Sequence, residues 1–364
     1  MKLSARQICF FLAAVAPAGK LVLMPSVLAA RTGNDLLFPA LAQVAVQAAL
    51  VFAVLLLARD GRTVYAMIAD MAGGLIARTA CIVFAAFLLF ASFVPLVEQK
   101  LLVQSLFYDT LPSYVAFAPF FLFSAFLCAK PLAALGRVWD VLALLFLTGL
   151  AGILLLSVGS ADYGALAPVG NAGAEGFGRG LAETTGWFYD AALLLPLAGK
   201  FEYKKGLAWK GALCSLLGGA LILFFLATYY GIFQEIAVTQ LFAFAHMSKY
   251  FSGITALGRI DYLFIFAIAF VMTFCAAMPV QAAADALTDA FGRTKPLAVS
   301  LSVLFNAALF AVMLVFNFAP SETIAAVTRR LFWIFPLFTA GAPLLLWTAV
   351  GIGRLIGRKT HAKK

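Results

Sequence analysis

Long apolar runs, each about 20 residues, alternate with short polar connections along the whole chain. Ten runs stand out, at roughly 8–30, 36–58, 79–101, 112–130, 139–158, 183–200, 208–231, 260–285, 297–318 and 330–355. A helix needs about 20 apolar residues to cross a bilayer, whereas a membrane strand needs about 10 and alternates in polarity. The pattern therefore predicts an all-α integral membrane protein with ten transmembrane helices. Residues 59–78 have the apolar spacing of a short interfacial helix. Two connections are longer than a turn. Residues 159–182 are rich in Gly, Ala and Pro, and residues 232–259 mix apolar and polar positions in a way that predicts a short helix at the outer mouth. Heptads, low-complexity tracts and soluble segments are not evident. Residues 1–364 are read as one polytopic membrane domain, with 359–364 as a basic tail.

Two of the runs are interrupted. Span 1 contains APAGKLVLMP, in which Pro17 and Gly19 break the helical pattern beside Lys20. Span 6 opens with ETTGWFYDAALLLPLAGK, in which Gly186 and Asp190 interrupt a short apolar run. Ten spans divide as five plus five, so the interruptions fall at corresponding places in two halves, about 8–158 and 183–355. This is the pattern of an inverted-repeat transporter fold with its site at the midplane.

Composition agrees. The 364 residues are 64% hydrophobic and 12% charged, and the mean hydropathy is +1.01, far too apolar for a soluble domain. The net charge of +10 reflects basic residues punctuating the spans and does not point to nucleic acid. With the N-terminus inside, eighteen of the 26 Lys and Arg fall in inner connections and seven in outer ones, Lys20 being the remaining one. That asymmetry places both termini in the cytoplasm. The basic start at Lys2 and Arg6 lacks a clear cleavage site, so no cleaved signal peptide is expected. The five cysteines all lie in apolar segments without CxxC spacing and read as packing residues. Phosphate-loop, nucleophile-elbow and zinc-protease motifs are missing, and the two histidines are far apart. The chain is thus expected to be neither an enzyme nor a metal protein, and to carry no cofactor.

The charges inside the apolar runs carry the remaining information. Lys20 lies about ten residues, roughly 15 Å, from the outer end of span 1, too deep to snorkel easily. At a helix centre it costs about 2.5–3.5 kcal/mol or more. It is expected to face a polar cavity or partner as a site residue or built-in cation, the alternative being a water-filled crevice with no task. Neighbouring broken spans would bring it near Asp190, unless Asp190 sits higher, at the outer mouth. Glu98 and Lys100 are expected at the outer end of span 3, as a solvated helix end with a local ion pair or as a gate or subunit contact. Arg259 and Asp261 open span 8 and read as capping and anchoring residues, as does GRVWD, 136–140, before span 5.

The opening KLSARQICFFLAAVAPAGKLVLMPSVLA resembles that of the spore germination permease family, the polytopic B subunits of nutrient germinant receptors within the amino acid–polyamine–organocation superfamily. The family's S-x-R-Q start, Gly-containing break and L-P pair correspond to Ser4, Arg6, Gln7, Gly19 and Met24–Pro25, with a departure at Met24. RTGND, VPLVEQKLLVQSLFYDTLPSY, ALGRVWD, GWFYDAALLL and SKYFSGITALGRIDYLF continue the resemblance over nearly the whole chain. It implies a LeuT-like fold in the inner membrane of a spore, acting with a large membrane A subunit and a lipoprotein C subunit. It further implies a small nutrient, often an amino acid, bound at the centres of spans 1 and 6 with spans 3 and 8 completing the pocket. Backbone at Ala18 and Gly19 would receive its carboxylate, Gly186, Trp187 and Phe188 would line the opposite wall, and Thr273 would reach in from span 8. Lys20 would add charge to the same carboxylate or stand where sodium-coupled relatives hold sodium. The competing readings are a proton-coupled amino-acid or amine transporter of the same fold, and a membrane scaffold with a degenerate pocket.

Overall fold

The computed structural model describes residues 2–107, 112–248, 261–292, 295–318 and 333–350. Among these the regular structure is helical, apart from one isolated bridge between Leu3 and Phe201. Six helical segments are long and apolar enough to cross a membrane, and three shorter apolar helices accompany them. Leu75, Leu122, Leu155 and Trp209 are 69–80% exposed on the outer faces, as suits surfaces that meet lipid or a membrane partner and not water. The chain is a multi-pass membrane protein.

Span 1 is two helices, α1 (Ala5–Ala18) and α2 (Met24–Thr32). Span 2 is α3 (Leu37–Leu57), followed by the short α4 (Val64–Ala72) in the stretch read as interfacial. Span 3 is α5 (Gly74–Ala91) and α6 (Phe93–Phe107), joined at Ser92. Then come α7 (Ser113–Cys128) and α8 (Leu132–Ser157). On either side of the interruption of span 6 lie α9 (Gly173–Thr184) and α10 (Asp190–Leu194). The chain continues through α11 (Leu207–Phe233), α12 (Ala243–Ser248), α13 (Asp261–Phe291), α14 (Lys295–Phe318) and α15 (Ile334–Val350). Arg259, the basic tail 359–364 and the end of the tenth run lie outside the described residues, as do the side chains of Asp261 to Phe264.

The pattern of apolar runs missed α9, which lies mostly in the stretch read as a long connection and leads into the interruption of span 6. Its glycines at 173, 176, 178 and 180 weaken helix propensity, but two of them serve packing against α2. A Cβ at Gly180 would fall 2.9 Å from Thr32 Cγ2, and one at Gly176 3.2 Å from the Arg31 carbonyl. Asp140 is also not at the start of a helix. It is the ninth residue of α8, and it accepts a hydrogen bond from Arg6 at 2.9 Å and from Gln7 at 3.4 Å. Ser4 and Gln7 form a capping box at the start of α1, and Gly136 leaves the space that Leu3 and Gln7 fill. The S-x-R-Q opening and the GRVWD stretch therefore dock on one another.

Between membrane helices the hydrophobic drive is absent, and close packing decides association. The face of α11 toward α1 and α3 is built for this. Gly211, Gly218 and Gly219 meet Leu55, Pro17 with Leu12, and Val44 respectively. Helices α3 and α11 pack along each other, α5 and α6 lie on α13, α7 lies on α14, and α1 is held by α8, α11 and α13. At the other end of span 6, Gly199 has φ +77° and its Cα approaches the 61–63 backbone, with a Cβ site 2.9 Å from the Arg62 carbonyl carbon. Both the left-handed conformation and the contact require glycine.

A Cβ at Gly218 would lie 2.6 Å from Pro17 Cγ and 2.7 Å from the Leu12 carbonyl oxygen. Gly218→Ala is therefore expected to destabilise the protein by about 1–3 kcal/mol, read as a lowered unfolding temperature in detergent. Gly159→Ala, with open space at its Cβ, is the matched control and should leave the transition in place.

Candidate functional site

The break in span 1 follows from its residues. Pro17 lacks an N–H and disfavours continuation of the helix before it. Gly19 follows, and Pro25 suits the first turn of α2. Residues 19–23 between them are not α-helical. Lys20 N–H and Leu21 N–H close tight turns onto Pro17 and Ala18 carbonyls at 2.9 and 3.3 Å. The break in span 6 is a 3-10 turn, Thr185–Trp187, then two non-helical residues before Asp190 opens α10.

Lys20 and Asp190 join the two breaks. The Lys20 ammonium donates to both Asp190 carboxylate oxygens at 2.9 Å and to the Ala16 carbonyl at 2.8 Å. It also lies 5.3 Å from the centre of the Phe188 ring, a cation–π contact. Lys20 is 2% exposed and Asp190 8%. The lysine is thus coordinated by both halves of the molecule and does not sit in an open crevice.

Glu98 makes the second link. It lies within α6, which runs on to Phe107, and is 1% exposed, so the reading of a solvated helix end is corrected. The helix continues past the end of the apolar run, which places Glu98 inside it. Its Oε1 accepts from Leu23 N–H at 3.1 Å in the first break and from the Trp187 indole at 2.8 Å in the second. Its Oε2 is buried without a hydrogen-bond partner among the described residues. Lys100, on the same helix, is directed elsewhere, 5.6 Å from the Phe117 ring centre.

Two residues that the sequence reading passed over hold the second break from α3. Gln43 donates to the Leu181 carbonyl and the Thr185 hydroxyl, both at 2.9 Å. Gln47 donates to the Phe188 carbonyl and accepts from Ala191 N–H. The signal was available: two glutamines one helical turn apart in an otherwise apolar span. From α6, Gln99 donates to the Thr273 hydroxyl and, at 3.2 Å, to the Ala269 carbonyl of α13, so Thr273 is engaged between helices.

The space enclosed by Gly19, Lys20, Glu98, Trp187, Tyr189, Asp190 and Cys275 is about 20 Å³, room for about one water. Among the expected site residues, Gly19, Lys20, Trp187 and Asp190 line it, together with Glu98. Ala18, Gly186, Phe188 and Thr273 are buried but do not line it. The arrangement gathers one ammonium, two carboxyls and an indole N–H around a small, buried space.

Both breaks fall within one family match. The sequence model of the family described as spore germination protein, Spore_permease, matches residues 2–323. The chain belongs to this family. It is a germination-related membrane permease, and the match takes in every residue of the centre just described. A comparison with curated proteins returns no match.

In this spore germination protein, Asp190→Asn would leave the Lys20 charge uncompensated at depth. Removing one partner of a buried pair costs about 3–5 kcal/mol, so a large loss of thermal stability is expected. The double change Lys20→Met with Asp190→Leu should recover much of it. A loss in the double variant equal to the sum of the losses in Lys20→Met and Asp190→Leu would show that the pair is not coupled.

Proposed function

We propose that the chain is the ligand-sensing, permease-like subunit of a germinant receptor, and that it binds a small nutrient, an amino acid, between the two helix breaks. The carrying observation is that the centre holds a built-in carboxyl and a built-in ammonium. Glu98 occupies Leu23 N–H and the Trp187 indole, donors suited to a ligand carboxylate. Lys20 occupies Asp190, an acceptor suited to a ligand ammonium. A free amino acid carries the same two groups and can replace them. On this reading the structure is the closed, self-occupied state, and binding requires Trp187 and Glu98 to give way.

The reading includes a ten-span LeuT-like repeat. It is supported by the packing of α3 on α11, α5 and α6 on α13, and α7 on α14, which are the second, third and fourth spans of each half. It also takes both termini as cytoplasmic, the spore inner membrane as the location, and a large membrane subunit and a lipoprotein as partners. Signal passes to those partners when the breaks rearrange, with Lys20 in the place of a coupling sodium. A proton-coupled transporter is the second reading, favoured by the unpartnered Glu98 oxygen. An intramembrane carboxyl of this kind is a proton site by default.

Thermal unfolding against L-amino acids, amines, nucleosides and sugars tests the proposal. A ligand bound only by the folded state adds about 2.7 kcal/mol at 100 Kd. One ligand class should stabilise the wild type and not Lys20→Gln, without dependence on sodium. Glu98→Ala, which frees two donors, should bind the same class more tightly. If no ligand stabilises either the chain or its co-purified complex, the sensor reading falls. Uptake into liposomes driven by a proton gradient would replace it with the transporter.

A further inference from the structure

Cys9 and Cys214 are the two cysteines that the central site leaves unexplained. The other three are committed or enclosed: Cys81 is buried, Cys128 donates to the Ala277 carbonyl at 3.5 Å, and Cys275 donates to the Val15 carbonyl at 3.3 Å. Cys9 lies in α1 and Cys214 in α11, and both are half-buried.

The helix crossing brings them together. Cys214 is three residues after Gly211 and four before Gly218, so all three share one face of α11. Atoms of Leu12 lie 3.6 Å from a Cβ at Gly211, and the Leu12 and Ala13 carbonyls lie 2.7 and 3.2 Å from one at Gly218. Cys9 is one turn before Leu12 and Ala13, on the part of α1 that packs against α11, which places it beside Cys214 at the crossing. Disulfides need Cα atoms about 4.4–6.8 Å apart, closer than two ordinary helices allow. A glycine-lined crossing is where helices come that close.

We propose that Cys9 and Cys214 are an oxidisable thiol pair whose disulfide ties the first half of the broken span 1 to α11. The oxidant class is a hydroperoxide. One thiolate attacks the O–O bond and becomes a sulfenic acid, releasing water from hydrogen peroxide. The second sulfur then displaces that oxygen as a second water. The two sulfurs lose two electrons and two protons, and the peroxide is reduced by two electrons. The link joins Cys9, eleven residues before Lys20, to a helix packed against the scaffold helix α3, and so restrains α1 as a unit. The inference does not depend on ligand binding.

The test uses the purified full chain in nanodiscs, treated with graded hydrogen peroxide and digested without reductant. Titratable thiols should fall from five to three, and mass spectrometry should find the Cys9 and Cys214 peptides joined. Dithiothreitol should restore all five. Amide exchange over residues 5–18 should slow several-fold in the oxidised protein. Cys9→Ser or Cys214→Ser should abolish the link, and the wild-type peptide map stands if either variant fails to fold. Sulfinic acid at either position without a link, a link between other cysteines, or unchanged amide exchange in the linked protein would overturn the proposal.

Discussion

A broken helix at membrane depth exposes backbone groups that lipid cannot satisfy, and the centre of this protein is organised around that constraint. Two breaks lie against each other, and each supplies what the other lacks. Asp190 at the start of α10 neutralises Lys20 from the first break, and Lys20 also takes the Ala16 carbonyl. Glu98 satisfies Leu23 N–H of one break and Trp187 of the other with a single oxygen. Gln43 and Gln47 supply the second break from α3. Without these side chains the irregular backbone would cost several kcal/mol per orphaned group.

The same logic extends to the two ends. Leu3 is held between residues 200 and 202 by backbone hydrogen bonds at 3.0 and 2.8 Å. Lys200 pairs with Asp289 and Asp285 on α13 at 3.0 and 3.3 Å. At the opposite end Asp35 accepts from Gly170 and Ala172 N–H at 2.8 and 2.7 Å, and Arg31 pairs with Glu183 at 2.7 Å. The RTGND stretch and the start of the chain are thus fasteners on the segments that lead into and out of span 6. Their value lies in fixing the geometry of the halves, since exposed pairs such as Arg31 with Glu183 contribute little energy by themselves.

Much of this was legible in the residues. Hydropathy marks the apolar spans because lipid-facing helices leave no ambiguity of period or length. Pro17, Gly19 and Pro25 mark the first break, and a lysine too deep to snorkel required a partner on another element. What the residues did not show has a physical cause in each case. Helix α9 is glycine-rich because it packs closely on α2, so local propensity argued against it. Glu98 looked peripheral because its helix continues through polar Gln99, Lys100 and Gln104, residues that hydropathy counts as an end. Gln47 was passed over because a neutral amide in a membrane helix signals less than a charge, although its hydrogen bonds to Phe188 and Ala191 do as much to shape the site.

The tightness of the centre bears on selectivity. A space of about 20 Å³ admits no nutrient without displacing protein groups, and displacement leaves buried donors and acceptors without partners. Each such orphan costs about 1–3 kcal/mol, more if charged. A ligand that is merely apolar and of the right size cannot recover that loss. One that brings a carboxylate to Leu23 and Trp187, and an ammonium toward Asp190, recovers most of it. On the proposed reading, self-occupancy discriminates by chemistry before shape: the groups that close the site define the groups that can open it. On that reading the same argument explains why Lys20 and Asp190 sit at the breaks and why Glu98 reaches both breaks from the continuous helix α6, since there their displacement changes how the two halves are joined.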